Sequence, residues 1–106
     1  MDGKKPLRVV YEQELSDKLS AARRRNAVVE LATANTSDIE ISEVFLRFVT
    51  DKAAEELVNK KRYRRVEAPV GSLLIAPYPF EIEDTVTIGY SRWWKFRRLK
   101  LEGIKI

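Results

Sequence analysis

The sequence contains no cysteine and no histidine. Without cysteine there can be no disulfide framework and no thiolate metal site. Without histidine, the commonest general base and the commonest metal ligand are missing together. A Ser-His-Asp triad, a zinc site of the usual kind and a histidine-based phosphotransfer step are therefore excluded. Glycine is scarce as well: Gly3, Gly71, Gly89 and Gly103 stand alone, so no glycine loop cradles a phosphate. No apolar run approaches the ~20 residues that cross a bilayer. Behind Met1-Asp2-Gly3-Lys4-Lys5-Pro6 there is no apolar stretch of the kind a secretory leader carries. These absences predict a non-enzymatic, cytoplasmic protein with no cofactor, no bound metal and no transmembrane segment.

What is present describes a folded chain. Apolar residues make up 44% and charged residues 34% of the 106, a balance typical of globular rather than disordered proteins. The length suits one domain, 1–106, burying roughly 60–70% of the surface of its unfolded chain. Abundant Lys, Arg and Glu beside few Gln give a thermophile-like composition, of the kind that favours surface ion-pair networks.

Alternation with a period of two recurs along the chain, and sustained helical periodicity does not. Leu7, Val9 and Tyr11 mark a first strand, and Val29, Leu31 and Thr33 one face of a second. Between them, residues 13–26 are polar and read as a loop or a short helix. Asn35-Thr36-Ser37-Asp38 is a cluster of turn formers. Ile39 and Ile41 follow, then Val44, Leu46 and Phe48, and the change of phase predicts a bulge near Ser42-Glu43. Asp51 to Val58 is the one good helical window, one or two turns long, with Asp51 as its cap. Lys60 to Arg65 is charged enough to suit an edge strand. Pro69-Val70-Gly71-Ser72 reads as a turn. Tyr78, Phe80 and Ile82 read as an edge strand or strand start behind Pro77 and Pro79. Val86, Ile88 and Tyr90 form a clear strand. In the last strand the phase flips across Gly103, between Leu99-Leu101 and Ile104-Ile106, which suits a bulge.

About seven strands with turn signals roughly every ten residues point to an all-β, antiparallel sandwich or barrel with one short helix. The stretch Val28 to Phe48 carries an alternating strand, an Asn-Thr-Ser-Asp turn and then Ile-x-Ile-Ser-x-Val-x-Leu-x-Phe. This resembles the opening hairpin of immunoglobulin-like accessory domains. In that pattern a Pro-Gly-x-Ser turn precedes a later strand; here Pro69-Val70-Gly71-Ser72 is one residue longer. The resemblance covers about a third of the chain and implies an immunoglobulin-like β-sandwich, a frame that hosts many unrelated functions.

The basic charge is concentrated. Lys60, Lys61, Arg62, Arg64 and Arg65 form one acid-free run around Tyr63. Arg92, Lys95, Arg97, Arg98 and Lys100 form another, interleaved with Trp93, Trp94 and Phe96. The two runs hold ten of the 20 basic residues and none of the 16 acids, so the rest of a chain of net charge +4 carries −6. Cations that neutralise phosphates, set among aromatic faces that stack on bases at ~1–3 kcal/mol each, suit single-stranded DNA or RNA. In a regular strand Trp93 and Trp94 point to opposite faces, so at least one belongs at a surface or an interface. The structural alternative fills the core with one Trp and covers the other with Arg stems. A membrane surface also suits Trp and Arg. We therefore expect nucleic-acid binding, with protein–protein association or homo-oligomerisation through the Trp pair as the alternative.

Other clusters read first as structural. Arg23-Arg24-Arg25 is a solvated loop. Asn35-Thr36-Ser37 matches a glycosylation acceptor but is explained by its turn. Glu81, Glu83 and Asp84 could offer oxygen ligands to a hard cation, yet nothing accompanies them with loop spacing, and a solvated turn is favoured.

Overall fold

Alternation is realised in seven strands among the described residues: β1 (Arg8–Tyr11), β2 (Asn26–Asn35), β3 (Glu40–Val49), β4 (Arg64–Glu67), β5 (Ser72–Ile75), β6 (Glu81–Trp93) and β7 (Phe96–Lys105). Two helices accompany them, α1 (Gln13–Ser20) and α2 (Asp51–Lys61). The computed structural model describes residues 7–35, 40–93 and 95–106, with the backbone alone at 34, 35, 40, 41, 93 and 96.

The strands form two sheets, one in the order β1-β6-β7 and one in the order β3-β2-β5-β4. The chain is β-rich as expected, but the all-antiparallel expectation is corrected. β1 runs parallel to β6, and β2 parallel to β5. A parallel neighbour requires the chain to be carried back to its starting end; between β2 and β5 that return is made by β3, α2 and β4.

Inward-facing residues of both sheets share one core. Val86, Ile88 and Ile104 of the first sheet meet Ala27, Val29, Leu73 and Ile75 of the second, joined by Tyr11 of β1. The Tyr11 hydroxyl is buried without a hydrogen-bond partner among the described residues, and burial raises its pKa. On the outer face of the second sheet, Val28 and Leu74 lie with Val49 beneath Ala54 and Leu57 of α2. β5 is thus buried on both faces. Its Leu73-Leu74-Ile75 is a continuous apolar run, which an alternation test passes over.

The polar stretch after β1 contains α1, whose Leu15 and Leu19, four residues apart, enter the shared core. There are accordingly two helices instead of one. α2 has eleven residues, longer than the expected turn or two, and is capped by Thr50, whose hydroxyl accepts from the Ala53 N–H at 3.2 Å. Asp51 instead receives Arg25 at 2.8 and 3.1 Å and Asn26 Nδ2 at 2.9 Å. Asn26, only 4% exposed, also donates to the Val49 carbonyl at 3.2 Å and accepts from the Ser72 N–H at 3.0 Å, joining three corners of the fold.

Three further expectations change. The β2–β3 ladder runs unbroken from Asn35↔Glu40 to Asn26↔Val49, so no bulge interrupts Ser42-Glu43. Residues 78–80 are not strand: Tyr78 N–H bonds to Ala76 O and Phe80 N–H to Tyr78 O, each at 2.7 Å, across Pro77 and Pro79. Glu81, Glu83 and Asp84 lie in β6, near its irregularity, and not in a turn. The register shift between Ile82 and Thr87 falls opposite Gly103, whose φ is 98°. Of the Asn35-Thr36-Ser37-Asp38 turn, residues 36–38 lie outside the described residues, as does Ile39.

Candidate nucleic-acid interface

The first basic run is divided among three kinds of backbone. Lys60 and Lys61 occupy the last turn of α2, where cations complement the helix C-terminus. Arg62 ends the helix in the left-handed region (φ 59°), with its own N–H and that of Tyr63 both on Leu57 O. Arg64 and Arg65 belong to β4, so the edge strand expected over Lys60 to Arg65 exists only in its last two residues. Arg65 pairs with Glu55 at 2.7 Å. Tyr63 donates to Glu30 Oε2 at 2.6 Å while Arg47 Nε donates to Oε1 at 2.5 Å. Burial alone would raise the Glu30 pKa, but these two hydrogen bonds outweigh it and hold the carboxyl below its usual range. Tyr63 is pushed up to about 12, by burial and then by its bond to Glu30. The aromatic of this run is tied down rather than presented.

The second run forms the β6–β7 hairpin. β1 accompanies β6 only along Thr85–Ile88, and beyond that the hairpin continues as two strands to the register pair Trp93↔Phe96. Where β1 ends, Glu12 takes over its edge. Its N–H bonds to Ile88 O, and its Oε1 accepts from the Tyr90 N–H, each at 3.0 Å. The carboxylate lies where a Cβ on Gly89 would be, so any larger residue there would displace it.

α1 straps this hairpin. Glu14 pairs with both Arg92, at 2.6 Å, and Arg97, which face each other across β6 and β7. The Arg97 guanidinium stands 4.9 Å from the centre of the Tyr90 ring, and Lys18 Nζ 5.3 Å from it. Lys100 lies 3.7 Å from Glu102. Lys95 and Arg98 are exposed and make no ion pair among the described residues. Register and alternation place Arg98 and Lys100 opposite Ser91 and Gly89, on the face away from Tyr90 and Ile88. Arg8, opposite Thr85, shares that face, and neither α1 nor α2 covers it. Trp94 and the side chains of Trp93 and Phe96 lie outside the described residues, so the expected division of the tryptophans between two faces concerns groups not described.

No family model, curated protein or solved structure matches the chain.

The two basic runs are not brought together. β7 approaches β3, one edge of the four-stranded sheet, whereas Arg64 and Arg65 lie on β4, the other edge. Three strand spacings, about 14 Å, separate those edges. Arg25 of the loop cluster is held by Asp51, and the hydrogen bond between them raises the Arg25 pKa further and lowers that of Asp51. Among the described residues no three acidic side chains gather to hold a metal ion, and no helix is long and apolar enough to cross a membrane. Sequence reasoning missed Glu12, just before α1, and Glu14 and Lys18 within it, the groups that shape the hairpin. The spacing of Leu15 and Leu19 beside Glu14 and Lys18, all four residues apart within each pair, was the signal for them.

Proposed function

We propose that the chain is a non-catalytic module of sandwich type, acting in the cytoplasm, that binds single-stranded DNA or RNA through the β6–β7 hairpin. The likeness of Val28–Phe48 to immunoglobulin-like hairpins belongs to the same proposal. The observation that carries the binding reading is a hairpin projecting past β1 with Lys95, Arg98 and Lys100 exposed, on a face that no helix covers and whose acidic groups, Glu12 over Gly89 and Glu102 beside Lys100, lie toward its base. Phosphates would meet Arg8, Arg98 and Lys100 on that face, beside the hydroxyl of Ser91, while the aromatic-rich turn supplies stacking. Lys60–Arg65 is not needed for this site. The binding takes no cofactor.

The test is tryptophan fluorescence on titration with a single-stranded oligonucleotide at several salt concentrations. Emission should change, and affinity should fall with salt by about 0.7 logarithmic units per logarithmic unit of salt for each phosphate neutralised. Unchanged emission at low salt would refute the reading.

A second reading, protein association, is favoured by a separate observation. A cleft of about 460 Å³ opens between β3 and β7, with Phe45 and Leu99 exposed on its rim.

A further inference from the structure

The two sheets have four free edges, β1, β7, β3 and β4, and three of them are protected. β1 has four residues, and the next donor along β6, the Tyr90 N–H, is taken by Glu12. β4 also has four residues, with Arg64 and Arg65 exposed. β7 carries a left-handed Gly103 opposite the irregularity in its ladder with β6, and it bears Arg97, Arg98, Lys100 and Lys105. Short length, bulges and like charge are the ordinary ways of preventing edge-to-edge pairing. β3 uses none of them. It has ten residues, no Pro, Gly or Lys, an unbroken ladder on its β2 side, and Phe45 exposed at 47%.

We infer that β3 is the contact between two copies of this chain, paired antiparallel about a two-fold axis through Phe45. The strand is complementary to itself in that register. Glu43 of each copy falls opposite Arg47 of the other, Val44 opposite Leu46, and Phe45 opposite Phe45. Arg47 gives its Nε to Glu30, and among the described residues its Nη groups make no hydrogen bond, so they can meet the second copy's Glu43. Phe45 and Leu99, two of the four large apolar residues exposed among those described, line the cleft beside this edge and would be covered together. The same operation on β7 about Leu99 would set Arg98 against Lys100, so charge selects β3. The two copies would share one continuous eight-stranded sheet. This rests on the edge and its charges and is independent of the nucleic-acid reading.

The absence of cysteine makes the test direct. In the inferred register a Phe45→Cys variant places two thiols on residues whose Cα atoms are about 4.5–5.5 Å apart, within disulfide reach. It should cross-link under mild oxidation. Glu43→Cys should not, because its two copies lie four residues apart along the strand, about 13 Å. By light scattering the wild-type chain should show twice its mass of 12.3 kDa. Glu43→Lys and Arg47→Glu should each show the single mass, and an equimolar mixture of the two should restore the double mass, since both charge pairs reform only in the mixed dimer. Circular dichroism checks that each variant is folded, and if Arg47→Glu is not, Phe45→Lys replaces it and should show the single mass. A wild-type mass of 12.3 kDa at high concentration would overturn the inference and leave the edge for a foreign strand. A double mass that survives Phe45→Lys, or equal cross-linking at positions 43 and 45, would overturn it in favour of another surface.

Discussion

Glu30 receives an arginine and a phenol on its two oxygens, and its neighbours Val28 and Ala32 on the same strand face are small. The two hydrogen bonds give the fold a dependence on pH at both ends of the scale. The folded protein holds the Glu30 proton more weakly than the unfolded chain, so this contribution is complete above the usual carboxylate range and fades as pH falls through it. Tyr63 behaves in the opposite sense. Its phenol keeps its proton up to about 12 when folded but loses it near 10 when unfolded, so its contribution is present below 10 and disappears between 10 and 12. Urea midpoints measured across the alkaline range should therefore decline for the wild-type chain. Tyr63→Phe should begin lower at neutral pH and decline less steeply between 10 and 12; parallel curves would show that Tyr63 does not carry this dependence. Nothing in the spacing of Glu30, Arg47 and Tyr63 along the sequence links them. They meet only because β2 pairs with β3 and because α2 returns the chain across the sheet.

At the scale of elements, legibility followed exposure. Strands with one wet face, β1, the later part of β2 and the middle of β6, alternate and were readable. β5 was not, because both of its faces are covered and alternation has nothing to report. α1 was obscured by eight largely polar residues that bury only Leu15 and Leu19. Gly103 was legible through its change of phase, whereas Gly89 was not, since its reason is a side chain 77 positions away. That reason makes a prediction. Gly89→Ala should displace the Glu12 carboxylate and leave the Tyr90 N–H to water or unpaired, at a cost of about 1–2 kcal/mol. With Glu12→Ala already in place, the same glycine change should cost much less, and a double-mutant cycle of unfolding free energies should report coupling of about 1 kcal/mol between the two sites. Additive effects would mean that the carboxylate does not hold the end of this ladder.

For the whole molecule, the concentration of basic charge was visible in the sequence, but its arrangement was not. Adjacent runs of cations suggest one surface only if the chain brings them together, and here they attach to opposite edges of a sheet. Two of the second run's five cations are also held internally, since Glu14 binds Arg92 and Arg97. Separation predicts that the runs act independently. Replacing Lys60, Lys61 and Arg64 by alanine should leave oligonucleotide affinity within about twofold and the salt slope unchanged, whereas Arg98→Ala with Lys100→Ala should weaken binding and lower the slope by about 1.4. Equal losses from both sets, measured by the same titration, would return the two runs to a single path for the strand.

The parallel pairing of β1 has a consequence for how the molecule comes into being. Arg8 meets Thr85 across some 77 residues of intervening chain. During synthesis, β1 emerges before β6 and has no partner in its sheet until β6 has been made, so the three-stranded sheet is assembled after the elements that lie between them in the chain. Glu12 and Glu14 wait with it, because the backbone and arginines they hold lie on β6 and β7. The β2–β3 hairpin, by contrast, closes over a few residues and can form at once. A growing chain thus displays its open β3 edge well before it owns the hairpin that projects from the other sheet, and any early encounter between neighbouring nascent chains takes place there.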